Sequence, residues 1–293
     1  MGWGLRLTAR RRGLVLVYHA VGAANGNPAR ELVPPHGAAS FEAHLRHLVW
    51  RYRVVAADDL LAAAAARRRG ARFPVAVTFD DDLASHRRVA LPILERVGVP
   101  ATFFVCGASL DGPFAFWWER LQQAVDAGIA PGVGGESIHE VARRVEEMPS
   151  EERDSFAAEL ERRLPPPAAD AGLRADDVRA LVSGGHAIGF HTRRHERLPA
   201  LDDDALAAAL TDGREALEGA AGERIDTVAY PHGRADARVA AAARAAGFRF
   251  GFTGRPDAVD AQSDPLLLGR LQPTYRSSGA FALQLVRALA RSG

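Results

Sequence analysis

The sequence contains no lysine, and all 37 of its basic residues are arginine. Without an ε-amino group the protein cannot form a Schiff base, attach pyridoxal phosphate or supply the lysine of a phosphate-binding loop. It also has a single cysteine, Cys106, which excludes an intramolecular disulfide framework. Cys106 ends an apolar run, and we interpret it as a small core residue in preference to a nucleophile.

Long apolar segments are also missing. No run approaches the roughly 20 apolar residues needed to cross a bilayer, so the sequence predicts no transmembrane segment. The apolar stretch 14–18, which follows a basic start, is too short for the core of a signal peptide. We therefore expect a cytoplasmic protein, with a peripheral position at the inner membrane face as the alternative.

The charges of the chain nearly balance, with a formal net charge of +1. The basic residues cluster only in two short arginine runs, at 10–12 and 67–69, and these do not predict an extended phosphate-binding face. The sequence therefore predicts that nucleic acid is not a partner.

The composition that remains is that of an ordinary globular protein, and its length of 293 residues favours a single domain over 1–293. Short β-branched or aromatic runs alternate with amphipathic segments, a rhythm typical of repeated β/α units. We predict an α/β fold, a distorted (β/α) barrel of seven to eight strands. The predicted strands are 13–18, 53–57, 74–79, 101–105, 186–190, 226–230, 248–252 and 266–271. Helices are predicted at 41–50, 60–69 and 205–218.

The rhythm of strands and helices breaks over 107–177, which we predict to be a helical insertion. Its polar helical segments are 119–127, 137–147 and 150–163, with a Gly/Pro-rich loop at 128–135. The aromatic cluster 114–118 either stacks on a substrate or packs a helix onto the barrel, and packing is the favoured interpretation.

In a β/α barrel the reactive groups project from the carboxyl ends of the strands. The first such end is Thr78-Phe-Asp-Asp-Asp82, where adjacent carboxylates repel one another unless a cation compensates. Capping of the helix that follows explains these aspartates equally well.

A second strand end carries His191 and His195, two imidazoles four residues apart that can converge on one ion. Chance supplies such a pair often enough in a chain with ten histidines that the spacing alone does not decide. An aspartate with two histidines suits zinc or a similar divalent ion, and three protein ligands leave a position open for water or substrate.

Two further strand ends carry weaker signals. The sequence Ala229-Tyr-Pro-His-Gly233 predicts a tight turn, which can aim backbone N–H groups at a ligand or simply join a strand to a helix. Leu16-Val-Tyr-His19 ends the first strand, and a lone histidine there is usually a packing or surface residue.

Together these motifs resemble the polysaccharide deacetylases of the NodB-homology superfamily, carbohydrate esterase family four. That family has Thr-Phe-Asp-Asp, then His-Ser/Thr-x-x-His, then Arg-x-Pro-aromatic-Gly, on a distorted β/α barrel. Residues 78–81 and 191–195 match the first two motifs, and 230–233 match part of the third. The resemblance covers roughly 13–105 and 175–275 and leaves the insertion unmatched.

The resemblance implies that Asp81, His191 and His195 bind one divalent metal ion. Zinc is the expected metal, with cobalt, nickel, iron and manganese as alternatives. It also implies that Asp80 is the general base toward the attacking water, and that the backbone N–H of His232 stabilises the oxyanion. The whole substrate and oxyanion turn would comprise Tyr230, Pro231, His232 and Gly233.

The sequence departs from the family pattern in ways that change the predicted site. Asp82 stands where the family usually has glycine, and this third carboxylate could alter the metal preference. Ala229 stands where an arginine normally orients the base. We predict that Arg270, on the last strand, replaces that arginine, with a plain surface arginine as the alternative.

The Leu-x-x-His motif that normally ends the family's sequences is missing from 266–273. The same pattern occurs at the end of the first strand, in Leu16-Val-Tyr-His19. Because the first and last strands of a closed barrel are neighbours, a histidine on one can serve the space normally served by the other. We therefore predict that His19 is the general acid that protonates the leaving amine.

These expectations combine into one function. The resemblance implies a metal-dependent hydrolase that removes the N-acetyl group from an amino sugar in a glycan or glycan precursor. Its expected substrate is an N-acetylated sugar, an oligosaccharide or a lipid-linked glycan. The alternatives are a catalytically degenerate carbohydrate-binding barrel and a related metal-dependent hydrolase of another acyl amide or ester.

Overall fold

The structure, a computed structural model, describes residues 6–129 and 136–291. Most of the predicted loop at 128–135 therefore lies outside the described residues. Within the described part, no helix has both the length and the apolar character needed to cross a membrane.

A curled eight-stranded sheet forms the centre of the molecule, with the strand order β10-β1-β5-β6-β7-β8-β9 and β4 paired to the start of β5. Two short strands, β2 and β3, form a separate parallel pair. The strands are β1 (Arg12–Tyr18), β2 (Val21–Gly22), β3 (His36–Gly37), β4 (Arg53–Val54), β5 (Pro74–Asp80), β6 (Thr102–Val105), β7 (Ala187–Phe190), β8 (Thr227–Ala229), β9 (Phe250–Phe252) and β10 (Val259–Asp260). Apart from the antiparallel pair of β1 and β10, the strands run parallel, which confirms the predicted α/β barrel.

The longest pairing of the sheet joins β1 to β5, from Leu14 opposite Val75 to Tyr18 opposite Phe79. All seven residues of β5 are buried, as expected for a parallel strand covered on both faces. This pair carries its last residues, and the polar groups that follow them, to the carboxyl end of the barrel.

The predicted strand at 266–271 is wrong as a regular element. Leu268 forms a single bridge to Phe252 of β9, and Leu271 forms a single bridge to Leu16 of β1. The N–H of Leu271 donates to the carbonyl of Val15 at 2.8 Å. Because the segment must change partner within a few residues, it cannot continue a ladder with either neighbour. It nevertheless fills the gap between β9 and β1 and so closes the barrel.

Helices cover the outside of the sheet. They are α1 (Ala38–Arg51), α2 (Leu60–Ala65), α3 (Leu91–Val97), α4 (Trp117–Asp126), α5 (Ile138–Glu147), α6 (Ser150–Arg163), α7 (Ala175–Ser183), α8 (Asp203–Ala209), α9 (Arg214–Ala221), α10 (Ala237–Ala245) and α11 (Ser278–Ala290). The single helix predicted over 205–218 is wrong, because Gly213 adopts a left-handed conformation with φ 78° and separates α8 from α9. The helix predicted over 60–69 ends earlier, at Ala65.

Helices α4, α5 and α6 lie within the predicted insertion and bury a small apolar core of their own. Ser137 caps α5, because its hydroxyl accepts a hydrogen bond from the N–H of Glu140 and the Glu140 carboxylate accepts one from the N–H of Ser137. The buried residues of this core are Leu121, Ala124, Ile138, Val141, Ala142, Val145, Leu160 and Leu164. Helices α4, α5 and α6 thus form a packed unit that can hold side chains in fixed positions.

Candidate active site

Three consecutive aspartates at the end of β5 are all buried, each only 3% exposed. Asp81 has φ 75°, a left-handed conformation that is uncommon for a residue with a side chain. This turn in the backbone separates the three carboxylates, so that each has different partners. One short motif therefore supplies three chemically distinct groups.

Asp80 is paired with Arg270, which the sequence places 190 residues away. Both terminal nitrogens of the guanidinium donate to the two carboxylate oxygens, each at 2.6 Å, and Nε donates to the carbonyl of Thr253. Burial tends to raise the pKa of Asp80, but the charge and hydrogen bonds of Arg270 outweigh it and lower the pKa to about 2. Asp80 is therefore an ionised carboxylate at neutral pH.

Asp81 lies beside both histidines of the predicted metal site. Its Oδ1 is 3.5 Å from Nε2 of His191 and 3.6 Å from Nε2 of His195, and the three ligand atoms lie within 4.8 Å of one another. Oδ1 of Asp81 is buried without a hydrogen-bond partner. Burial and the charge of Asp80 raise the pKa of Asp81 well above its usual value, so an ionised Asp81 needs a cation beside it.

His191 and His195 both face Oδ1 of Asp81 with neutral imidazoles. Nδ1 of His191 is 2.8 Å from the carbonyl of Ala229, and since a carbonyl only accepts, Nδ1 carries the hydrogen and leaves Nε2 free as a ligand. Burial lowers the pKa of His191 to about 4 and that of His195 well below its usual value. The ring of His195 is fixed by Trp118, at 4.5 Å between ring centres.

Asp82, predicted as a third carboxylate near the metal, points away from the cluster. Its Oδ1 accepts from the N–H groups of Cys106 and Gly107, and its Oδ2 accepts from the N–H and hydroxyl of Ser109. These hydrogen bonds satisfy both oxygens. Asp82 therefore anchors the loop after β6 and lies outside the ligand cluster, while its effect on metal preference stays a prediction.

His19 lies at the carboxyl end of β1 and lines the same cavity as Asp80 and Arg270. Burial is the main cause that lowers the pKa of its imidazole, and the positive charge of Arg270 lowers it further, while Asp80 opposes both. Its backbone carbonyl is held by the ring of His86, at 3.1 Å from Nε2. The charges of both Asp80 and Arg270 therefore act on His19.

The predicted substrate turn 230–233 divides into two parts. His232 and Gly233 line the cavity, and both have left-handed backbone conformations, with φ 58° and 64°. Pro231 is buried. Tyr230 is fully buried and donates its hydroxyl to the carbonyl of Leu266 at 2.8 Å, so its side chain serves packing and does not reach the cavity.

These groups surround one cavity of about 560 Å³ at the carboxyl end of the barrel. Such a volume lies within the roughly 300–1,000 Å³ typical of small-molecule sites. The side chains that line it come from the barrel, from segment 32–34 and from the insertion. They are Val17, His19, Leu32, Val33, Pro34, Asp80, Asp81, Trp117, Trp118, His139, Ala142, Arg143, Glu146, His191, His195, His232, Gly233, Gly254, Arg270, Gln272 and Tyr275.

The sequence model of the family described as polysaccharide deacetylase matches residues 67–251 of this chain. The chain belongs to the polysaccharide deacetylase family. The match contains the aspartate motif, the histidine pair and the turn at 230–233, and it confirms the resemblance read from those motifs.

Individual relatives agree with this membership. The chain is similar to YxkH of Bacillus subtilis (strain 168), which bears the family's name, at 21% identity over 267 residues covering 91% of this chain and 73% of YxkH. The structure of the deacetylase PplD from Streptococcus pyogenes in complex with acetate has a TM-score of 0.66 at 17% identity, covering 96% of this chain and 99% of that one. IcaB from Ammonifex degensii has a TM-score of 0.60 at 19% identity, covering 96% and 97%. At these identities the solved structures show the shared fold.

In this family member, helix α5 supplies a wall of the cavity that the motifs did not predict. His139, Arg143 and Glu146 of α5 all line it. Glu146 also lies 3.6 Å from Nδ1 of His232. The spacing i, i+4, i+7 of the three side chains, which places them on one helix face, was the available signal.

The aromatic cluster 114–118 has two roles. Phe116 and Trp118 are buried and stack on each other, with ring centres 4.3 Å apart, and they pack in one cluster with Cys106 after β6; Trp118 also reaches the lining of the cavity. Trp117 lies half-buried on the lining of the cavity, where a substrate can reach it. Trp118 therefore contacts His195, and Trp117 faces the open cavity.

Proposed function

We propose that this protein is a metal-dependent deacetylase that hydrolyses the N-acetyl amide of an amino sugar in a glycan or glycan precursor. The observation that carries the proposal is the pairing of two arrangements in one cavity. An arginine-held carboxylate, Asp80, lies beside a ligand cluster of one aspartate and two histidines, with Nε2 of His191 4.0 Å from Oδ2 of Asp80. Amide hydrolysis by activated water needs both a base and an electrophile at such a distance.

The cluster of Asp81, His191 and His195 fits a divalent cation, and we propose zinc. The unpartnered Oδ1 of Asp81 and the two neutral Nε2 atoms form a mixed oxygen and nitrogen donor set, which zinc favours. When bound there, the ion would polarise the amide carbonyl and acidify water. The cation would also offset the buried negative charge of Asp81.

Asp80 is suited to accept the proton of the attacking water. Arg270 keeps it ionised, fixes both oxygens and leaves the carboxylate facing the ligand cluster. A protein that only binds carbohydrate would need neither the ionised base nor its buried arginine, and burying such a pair is costly in free energy. This favours the hydrolase over the binding-only alternative.

The remaining two tasks, proton donation and oxyanion stabilisation, fall to His19 and His232, which both line the cavity. We assign His19 as the group that delivers a proton to the departing amine, since it lines the same cavity as Asp80, whose negative charge favours the protonated imidazole that this step requires. The backbone N–H of His232, presented by the left-handed turn, is suited to stabilise the developing oxyanion. The substrate is an N-acetylated sugar, an oligosaccharide or a lipid-linked glycan.

The proposal is tested by metal analysis and turnover of two neighbouring variants. Asp81→Ala should lose bound metal and deacetylation together, because it removes a ligand. Asp80→Asn should keep the metal and lose deacetylation of an N-acetylated oligosaccharide by about 10²–10⁴-fold, because an amide cannot accept the proton.

Metal content unchanged in Asp81→Ala, under metal-replete conditions, would show that the ligand assignment is wrong. A parent enzyme that binds metal and sugar but releases no acetate, across a panel of N-acetylated sugars and oligosaccharides, would return the protein to the binding-only alternative. Release of another acyl group, or ester hydrolysis alone, would favour the related-hydrolase alternative.

A further inference from the structure

An arginine-rich surface lies at the amino ends of β1, β4 and β5, opposite the catalytic cavity. Four segments form it: 6–12, 46–53, 66–72 and 287–291. Together they contain thirteen arginines and no acidic residue. We call this surface the arginine face. Its concentration of charge is unexpected in a chain whose net charge is +1.

Hydrogen bonds join the four segments into one surface. Arg6 donates to the carbonyl of Arg51 at 2.6 Å, and the N–H of Gly70 donates to the carbonyl of Arg6 at 2.7 Å. Arg72 donates to the carbonyl of Val49 at 2.9 Å, and Arg10 donates to the carbonyl of Leu289 at 3.0 Å. The arginine face is therefore assembled by the fold from parts that are distant in sequence.

Few acidic groups compensate this charge. Two of these arginines pair with carboxylates, Arg46 with Glu42 and Arg12 with Asp260, the latter at 3.8 Å. Arg53, Arg68 and Arg69 are exposed and make no ion pair with any residue that the structure describes. Like charges held together repel one another, and an anionic partner would relieve that repulsion.

Apolar side chains project from the same surface. Trp50 is 62% exposed, Leu7 is 61% exposed and Val49 is 41% exposed, which makes them three of the most exposed large apolar residues described. The guanidinium carbon of Arg51 lies 3.9 Å from the centre of the Trp50 ring. Tryptophan flanked by arginine is the combination that favours the boundary between lipid headgroups and acyl chains.

We propose that the arginine face docks the protein on an anionic lipid bilayer. The arginines would contact headgroup phosphates, while Trp50, Leu7 and Val49 enter the interfacial region. The exposed apolar side chains favour a bilayer over nucleic acid, whose backbone offers phosphates but no apolar layer. Because the face and the cavity lie at opposite ends of parallel strands, the catalytic opening would point toward the aqueous phase. The proposal does not depend on the deacetylase activity.

The test compares sedimentation of the full chain with vesicles of phosphatidylcholine alone and vesicles containing half phosphatidylglycerol. We expect binding only to the anionic vesicles. Raising the salt to about 1 M should release the protein, because the Debye length then falls to about 3 Å and the attraction between arginines and phosphates is screened. The triple variant Arg53→Gln, Arg68→Gln, Arg69→Gln should bind about 100-fold more weakly, since each headgroup contact is lost additively.

The matched control removes three arginines from other surfaces, by Arg162→Gln, Arg179→Gln and Arg224→Gln, and should bind as the parent does. Trp50→Gln should bind about tenfold more weakly to the anionic vesicles, because it removes apolar area but no charge. Urea unfolding verifies that every variant is folded.

Equal binding by both triple variants, or no binding of the parent to anionic vesicles, would overturn the proposal. Binding of duplex DNA in place of vesicles, with the same loss in the first triple variant, would assign the arginine face to nucleic acid and would also overturn it.

Discussion

Charged side chains are buried at one end of the barrel and exposed to solvent at the other. At the carboxyl end, Asp80, Asp81 and Asp82 are buried, and each has its own partner or ligand cluster. At the amino end, Arg68 and Arg69 are exposed next to each other and make no ion pair within the described part of the chain. Burial makes the difference, since a buried charge without a partner costs several kcal/mol while an exposed one is solvated by water.

The comparison predicts that substitutions at the carboxyl end strongly change catalysis or the free energy of unfolding. Substitutions of exposed groups at the amino end should change the free energy of unfolding only slightly. Four substitutions test this, from the largest expected effect to the smallest.

His19→Ala should lower kcat for an N-acetylated sugar by about 10²–10⁴-fold while metal content and folding stay unchanged, because the leaving amine loses its proton donor. An activated ester, whose leaving group needs no proton, should lose far less. Steady-state kinetics on both substrates measure the difference. Equal losses on amide and ester, or none on either, would mean that His19 is structural, and His232 would be the next residue to examine.

Arg270→Ala should destabilise the protein by about 3–5 kcal/mol, because it leaves the Asp80 carboxylate buried without its cation. The pKa of Asp80, lowered to about 2 in the parent, lies below that of an unfolded aspartate, so the pair stabilises the fold above about pH 4 and this contribution is lost as pH falls toward 2.

Without Arg270, burial raises the pKa of Asp80, and the acid limb of the rate profile should move to higher pH. Arg270→Lys is the control, since it keeps the charge but loses the two-point contact, and it should show a smaller shift. A rate profile in Arg270→Ala with the parent's acid limb would contradict a role for Arg270 in setting the charge of Asp80.

Asp82→Asn should destabilise the protein by about 1–3 kcal/mol, since one acceptor oxygen is replaced by an NH₂ group that faces N–H donors. Metal content should not change. The neighbouring Asp81→Asn should lose bound metal. The metal-free variant should be at least as stable as the metal-free parent, because the repulsion between the buried carboxylates of Asp80 and Asp81 is removed. Urea unfolding and metal analysis of both variants decide the matter, and metal loss in Asp82→Asn would place its carboxylate in the cluster.

Arg68→Gln should change the free energy of unfolding by less than about 0.5 kcal/mol, because its side chain is exposed and makes no ion pair. Arg67→Gln is the contrast one residue away. The Arg67 guanidinium is buried, donates to the carbonyls of Thr8 and Arg10, and lies 3.6 Å from the ring centre of Phe73. Its loss should cost about 2 kcal/mol or more. Equal effects of the two substitutions in urea unfolding would contradict the rule that burial decides.

Local patterns were enough to predict the elements that hold the ligands. The apolar run before Asp80 and the spacing of His191 and His195 each lie within a few residues, and the structure brings Asp81 to both histidines. The order of these motifs along the chain indicated the family, because each belongs to the end of one strand.

Side-chain direction was harder to predict. Tyr230 and His232 are two residues apart in one motif, yet Tyr230 bonds to Leu266 in the core and His232 faces the cavity. The left-handed conformation of His232 interrupts the alternation that would place them together. The position of Asp82 was also hard to predict, because its hydrogen-bond partners Cys106 and Ser109 follow a different strand, β6.

The sequence by itself determined most strands of the central sheet, which residue types stand at their ends and, through their order, the family. Only the tertiary structure decided that Arg270 reaches Asp80 across 190 residues, that α5 lines the cavity, and that four separate segments form the arginine face. The physical reason is distance along the chain. Periodicity and turn chemistry act over a few residues, whereas a contact between remote residues exists only once packing has fixed both backbones and left one direction open for each side chain.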